Sequence, residues 1–184
     1  MKKLLFLSLI FLNGCFQLRD AEGPKEVNSD WSSPTEPSIL MNNLSLAFKK
    51  FNSENYQRCF SENFTFTPDP SVSRSNQGVF QSWSKENENE YLQNLKSKSP
   101  SSSQNTFYLS SSTEKFIKAD SVEYSSRYSI QVFHSQKNFS TQYSGKLIFI
   151  LTKNKFSEWQ ISKWTDTKIS NKESWTELKL NFSN

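Results

Sequence analysis

Glycine is scarce in this chain, with 4 among 184 residues. That excludes the Gly-rich loops whose backbone N–H groups cradle phosphates, and neither Gly-x-Gly-x-x-Gly nor Gly-x-Ser-x-Gly occurs. Histidine is scarcer still: His134 is the only one, which excludes His-rich zinc sites and the His-Glu-x-x-His motif. The 2 cysteines, Cys15 and Cys59, cannot build a disulfide framework. No run of Lys and Arg is long enough for the electrostatic footprint of a nucleic-acid binder, so no nucleic-acid partner is expected. No apolar run reaches the roughly 20 residues that a bilayer crossing needs. No cofactor and no metal are expected.

What is present begins at the N-terminus. Lys2 and Lys3 precede the apolar run Leu4–Leu12, which gives way to Asn13-Gly14-Cys15. That is the order of charged, apolar and cleavage regions in a secretory signal. Leu12-Asn13-Gly14-Cys15 resembles the lipobox of bacterial lipoproteins, with Asn13 departing from the usual small apolar residue. The resemblance implies cleavage after residue 14, fatty acylation (palmitate and related chains) of Cys15, and a lipid-anchored place in a bacterial cell envelope. One acyl chain anchors only marginally and stable anchoring needs two signals, a demand that several chains on one residue would meet. Phe16, where an aspartate would retain such proteins at the inner membrane, implies the outer membrane. The bland alternative is an ordinary secreted protein with a chance cysteine near its cleavage site.

Lys2 and Lys3 account for two of the net +4 charges, so the mature chain carries +2. Its surface is polar, with a mean hydropathy of −0.70. Its core is aromatic, since Phe, Tyr and Trp make up 15% of the chain and each ring can bury roughly 150–250 Å². With Cys15 lipidated, Cys59 stands alone beside Tyr56 and Phe60 and reads as a small buried hydrophobe.

Residues 15–37 are rich in Asp, Glu, Ser and Pro and show no period, as in a flexible tether. Some twenty such residues span about 25 Å. Trp31 is the anomaly, suited to packing on the domain or to a lipid interface. Deleting 16–34 is expected to cost little.

Residues 38–184 read as one domain. Leu40, Leu44, Ala47, Phe48 and Phe51 share a helical face, with Thr35 or Ser38 as cap and Pro37 in the first turn. Ser53 opens a second short helix with Tyr56 and Phe60 inward. Phe64–Thr67 alternates as a short strand stopped by Pro68-Asp69-Pro70, and Ser71–Val79 reads as loop. Ser84 caps a third helix carrying Tyr91, Leu92 and Leu95 and ending before Pro100. From Thr106 the period becomes two: Phe107 and Leu109; Val122, Tyr124, Tyr128, Ile130 and Val132; Tyr143, Leu147, Phe149 and Leu151; Trp159 and Ile161. Helices followed by a meander is an α+β pattern.

The order Leu44–Phe48, Tyr56, Phe64–Pro70 and Trp83, closing on Trp159–Asp166 and Ser174–Lys179, resembles the NTF2-like superfamily and its SnoaL-like bacterial lipoproteins. The resemblance implies a cone: N-terminal helices packed in a strongly curved antiparallel sheet, often around a pocket. That superfamily hosts isomerases, dehydratases, ligand binders and structural dimers, so the fold does not name an activity.

Three functions stay open. The first is a non-catalytic lipoprotein domain binding a small ligand or an envelope protein. The second is a pocket enzyme of isomerase, dehydratase or hydrolase type using His134 or an Asp, Asp69 or Asp166; each has a bland reading, His134 as a hairpin residue and the aspartates as turn caps. The third is a homodimer through the sheet face bearing Ile148 and Ile150. Tyr128, Tyr143 and Trp164 are the candidate pocket lining, set against plain core packing. Glu86, Glu88 and Glu90 read as a solvated helix face.

Overall fold

The computed structural model describes residues 30–183, apart from 103 and 170. The expected signal segment 1–14, Cys15 and the tether as far as residue 29 lie outside the described residues.

Helix α1 (Pro37–Lys49) buries Leu40, Leu44, Ala47 and Phe48, as its 3.6-residue period predicts. Neither expected cap is used: the N-cap is Glu36, without a side-chain bond, and Pro37 stands in the first turn, where its missing N–H removes a donor in need of a cap. Phe51 lies past the helix end with a φ of 50°, the left-handed position usually given to glycine. Its N–H donates to the Phe48 carbonyl and that of Asn52 to the Ala47 carbonyl. Burial of the Phe51 ring offsets the strain.

Helix α2 (Ser53–Arg58) is capped by Asn52 rather than Ser53, since Asn52 Oδ1 accepts from the Asn55 N–H at 3.0 Å. It stops before Phe60, which opens strand β1 (Phe60–Thr67) instead of ending a helix. The stretch expected as loop contains a turn of helix, α3 (Pro70–Ser73), because Asp69 caps it. Helix α4 (Lys85–Ser97) begins at Ser84 as expected, in a capping box closed by Asn87.

Strands β2 (Thr106–Lys118), β3 (Ser121–Gln131), β4 (Gln142–Lys153) and β5 (Trp159–Thr167) form the antiparallel meander, and helix α5 (Trp175–Phe182) follows. The five-stranded sheet has the order β1-β5-β4-β3-β2. It is mixed, which corrects the antiparallel expectation: β1 runs parallel to β5, with Phe60 opposite Ile161 and Phe66 opposite Trp164. A hairpin dictates antiparallel pairing, but β1 reaches its neighbour only after the whole meander is laid down, so no local turn sets its direction. Register shifts interrupt β2 after Ser110, where Ser111 has a φ of 53°, and again after Phe116. Such bulges bend a strand and sharpen its twist.

The N-terminal helices and α5 share one aromatic core with the sheet. Trp164 is central, its ring 4.5 Å from Trp175, 5.2 Å from Phe149 and 5.4 Å from Phe66. Cys59 is buried there, and burial pushes its thiol pKa upward, as its apolar neighbours predict.

Residues 31–34 make contacts with the domain. Trp31 packs on the core beneath the Arg58 guanidinium, 3.9 Å from its ring centroid. Asn43 accepts from the Ser32 N–H and donates to the Ser32 carbonyl, and the Pro34 carbonyl accepts from the Trp159 N–H at 2.8 Å. Ile148 and Ile150 are half-buried on the other face of the sheet from the helices, flanked by Ser125 and Thr165 and by Glu123 and Lys163.

Candidate functional site

The interior beneath the helices holds two networks of buried polar groups. The first centres on Glu88. Glu86 and Glu90 are exposed as expected, but Glu88 is 0% exposed, so the solvated-face reading does not hold for it. The α4 stripe explains this: Glu88 stands three, four and seven residues before Tyr91, Leu92 and Leu95 and therefore faces the core with them. A buried carboxylate is costly unless paired. Lys179, on α5, supplies the countercharge as an ion pair to Glu88 Oε1. The same oxygen accepts from the Trp83 indole N–H at 2.7 Å, and Oε2 accepts from the Tyr56 hydroxyl at 3.0 Å. Tyr56 and Tyr91 share a hydroxyl contact of 3.2 Å, and the Trp175 indole N–H donates to Tyr91 at 2.9 Å.

Aromatic rings surround the ammonium of Lys179. Its Nζ lies 3.8 Å from the Trp164 ring centroid, 4.4 Å from Phe66, 4.9 Å from Tyr91 and 5.5 Å from Trp83. Burial pushes the Lys179 pKa down to about 8, against the upward pull of Glu88. Burial, and then the Glu88 charge, push the Tyr56 and Tyr91 hydroxyls well above the ordinary tyrosine range.

The second network centres on Asp166 of β5, also 0% exposed. Its Oδ1 accepts from the Tyr128 hydroxyl at 2.7 Å, and its Oδ2 from the Thr176 N–H at 2.8 Å and the Thr176 hydroxyl at 2.7 Å. The Tyr128 oxygen in turn accepts from the Trp175 N–H at 2.6 Å. Asp166 and Tyr128 thus satisfy the first N–H groups of α5, which no intrahelical bond can reach, and a carboxylate there opposes the helix dipole. Burial raises the Asp166 pKa, while the bonds from Thr176 and Tyr128 oppose that rise. The turn-cap expectation for Asp166 thus becomes a long-range cap on α5.

Asp69 is a turn residue. Its Oδ1 accepts from the Ser71 N–H at 2.8 Å and its Oδ2 from the Lys168 N–H at 2.8 Å. Burial raises its pKa, but these bonds and that of the Ser71 hydroxyl outweigh it and hold the carboxyl below its ordinary value.

Of the candidate pocket lining, Tyr128 belongs to the Asp166 network. Trp164 forms a wall of the Lys179 cage, and its buried indole N–H has no partner among the described residues. Tyr143 lies apart, its hydroxyl donating to the Ser140 carbonyl at 2.5 Å. All three are buried.

His134 lies just past the end of β3 and is half-buried rather than exposed. Its Nε2 is 2.9 Å from the Ser140 carbonyl, which can only accept, so Nε2 carries the proton. The ring packs 5.1 Å from Phe182 and 6.5 Å from Phe139. Those two phenylalanines line a cleft of about 440 Å³ with Asn94, Lys98, Gln136 and Asn181. Among the described residues no Asp or Glu lines it.

No protein-family profile matches the sequence, and no curated protein matches it. Solved structures do. The fold is NTF2-like. An NTF2-like protein from Rhodospirillum rubrum superposes with a TM-score of 0.57 at 9% identity, over 73% of this chain and 99% of that one. An NTF2-like protein from Cytophaga hutchinsonii gives 0.54 at 12% identity, over 71% and 93%. A candidate aromatic ring hydroxylase from Novosphingobium aromaticivorans gives 0.60 at 12% identity, over 77% and 92%. Identities this low establish the NTF2-like fold and nothing about the reaction.

Proposed function

We propose that the chain is a lipid-anchored envelope protein, attached through Cys15, whose NTF2-like domain binds a small ligand or an envelope partner without transforming it. The commitment of the two buried carboxylates to structural partners carries the non-catalytic part. Glu88 is committed to Lys179, Trp83 and Tyr56, and Asp166 to Tyr128 and Thr176. A general acid or base must exchange its proton with a substrate, and these carboxylates already hold structural donors. His134 stands outside both networks, bonded to a backbone carbonyl.

With Lys179 filling the interior, binding of an outside ligand belongs to the surface. The cleft beside Phe139 and Phe182 offers aromatic faces with the amides of Asn94, Gln136 and Asn181 around them, the mixture that suits a small polar ligand. The lipobox-like Leu12–Cys15 supports the anchor, and Phe16 favours the outer membrane.

Fatty-acid labelling in a bacterial host tests the anchor: label is expected in the parent chain and absent from Cys15→Ala, and label retained in that variant would overturn it. Native mass spectrometry of the purified chain tests the binding reading by reporting bound small molecules and oligomeric state together. An enzymatic activity lost in His134→Ala with the fold intact would overturn the non-catalytic reading.

A further inference from the structure

We propose that the interior is a binding site for a small organic ammonium group, and that Lys179 of the chain itself is its resident ligand. Four rings, those of Trp164, Phe66, Tyr91 and Trp83, stand 3.8–5.5 Å from Nζ. Ring faces are negative, and a cage of them with one carboxylate suits an organic ammonium, whose N–H groups meet the carboxylate while its carbon stem meets the rings. A metal ion would instead need several oxygen, nitrogen or sulfur ligands, and among the described residues no group of three His, Cys, Asp or Glu assembles. Glu88 supplies the charge, and its other donors, Tyr56 and Trp83, hold it in place. The cage walls come from β1, the segment before α4, α4 itself and β5, whereas Lys179 comes from the terminal helix α5. The walls and the carboxylate are thus built by elements other than the one that fills them, which is the relation of a site to a ligand. The inference goes beyond the surface-binding reading and does not depend on it.

The test is chemical rescue. Lys179→Ala removes three methylenes and the ammonium, the size of propylammonium. Neutral 1-propanol fills the same volume without the charge. Thermal melts of the full-length chain are run with each additive at equal concentration. Assuming a dissociation constant on the order of 10 mM, 100 mM propylammonium should raise the melting temperature of Lys179→Ala by roughly 3–5 °C. The shift from propanol should be less than half of that. In the parent chain, whose own ammonium occupies the cage, the two additives should not differ. If Lys179→Ala is recovered unfolded, its refolding yield on dilution from urea, with each additive, reads the same discrimination. Equal effects of the two additives, no effect of either, or the same propylammonium shift in the parent chain would each overturn the proposal.

Discussion

Lys179 and Glu88 form an ion pair in which neither side chain touches solvent, although 91 residues separate them in the chain. The pair ties α5 to α4. Breaking a buried pair leaves the surviving charge uncompensated, whereas replacing both partners removes the problem. Lys179→Met strands the Glu88 carboxylate, and the double variant Glu88→Gln/Lys179→Met should be more stable than that single variant by about 1–3 kcal/mol, since its amide oxygen still accepts from Trp83 and no charge is left buried alone. Urea unfolding of the two variants measures this, and equal stabilities would contradict a pair.

The same lysine sets an alkaline signature. Between a folded value of about 8 and the ordinary 10.5, the unfolded chain holds a proton on Lys179 that the folded chain has released. The unfolded state then binds more protons, and stability rises with pH. The tyrosines reverse this. Tyr56, Tyr91 and Tyr128 are pushed well above the ordinary 10.0, so above that pH they ionise only in the unfolded chain and stability falls. Stability should peak at roughly pH 9–10. A urea series from pH 7 to 11 shows the rise, and Lys179→Met should abolish the rise while leaving the fall.

Gly145 is required by Tyr128. A Cβ at Gly145 would lie 2.5 Å from the Tyr128 hydroxyl oxygen and 2.7 Å from the Thr167 carbonyl. Tyr128→Phe removes the acceptor of the Trp175 N–H and a donor to Asp166, and should cost about 1–3 kcal/mol. Gly145→Ala should cost more, because it displaces backbone as well as the hydroxyl. Adding Tyr128→Phe to Gly145→Ala should not restore stability, since the clash with the carbonyl remains. Thermal melts rank the variants, and a near-parental Gly145→Ala would refute the close approach.

Residues 31–34 contact the domain through Trp31, Ser32 and Pro34. Deletion of 16–29 should leave the melt unchanged. Extending it through residue 36 should cost about 1–3 kcal/mol, since it removes Trp31 from the core and leaves the Trp159 N–H without the Pro34 carbonyl. Trp31, which Arg58 covers, is where the expectation that removal of 16–34 costs little meets its test. Equal melts for the two deletions would show that the segment is only draped on the surface.

The last strand and helix are indispensable. Truncation before Lys155 removes Trp159, Ile161, Trp164, Trp175 and Lys179, all buried. Each large apolar side chain contributes roughly 1.5–3 kcal/mol, against a total stability of about 5–15 kcal/mol. The truncated chain should be unfolded or aggregated by circular dichroism, and a cooperative melt would contradict the packing of α5.

Helix-then-strand order, the buried faces of α1 and α4 and the four-stranded meander were legible in the sequence because periodicity and hairpin spacing are local properties. The left-handed Phe51 and the capping of α2 by Asn52 were less so, since neighbouring polar residues compete for one cap. The site was half legible. Glu88 precedes Tyr91, Leu92 and Leu95 at stripe spacing, and Lys179 follows Trp175 and precedes Phe182 in the same way. One charge of each sign on two apolar stripes is a readable sign of a buried pair, but a solvated face accounts for a lone glutamate equally well until its partner is found. The direction of β1, the reach of Asp166 to α5 and the closing of the cage on Lys179 were decided only by the tertiary structure. Each depends on a partner that the chain brings close only when the core assembles, and the cost of an unpaired buried charge or N–H exists only once that core excludes water.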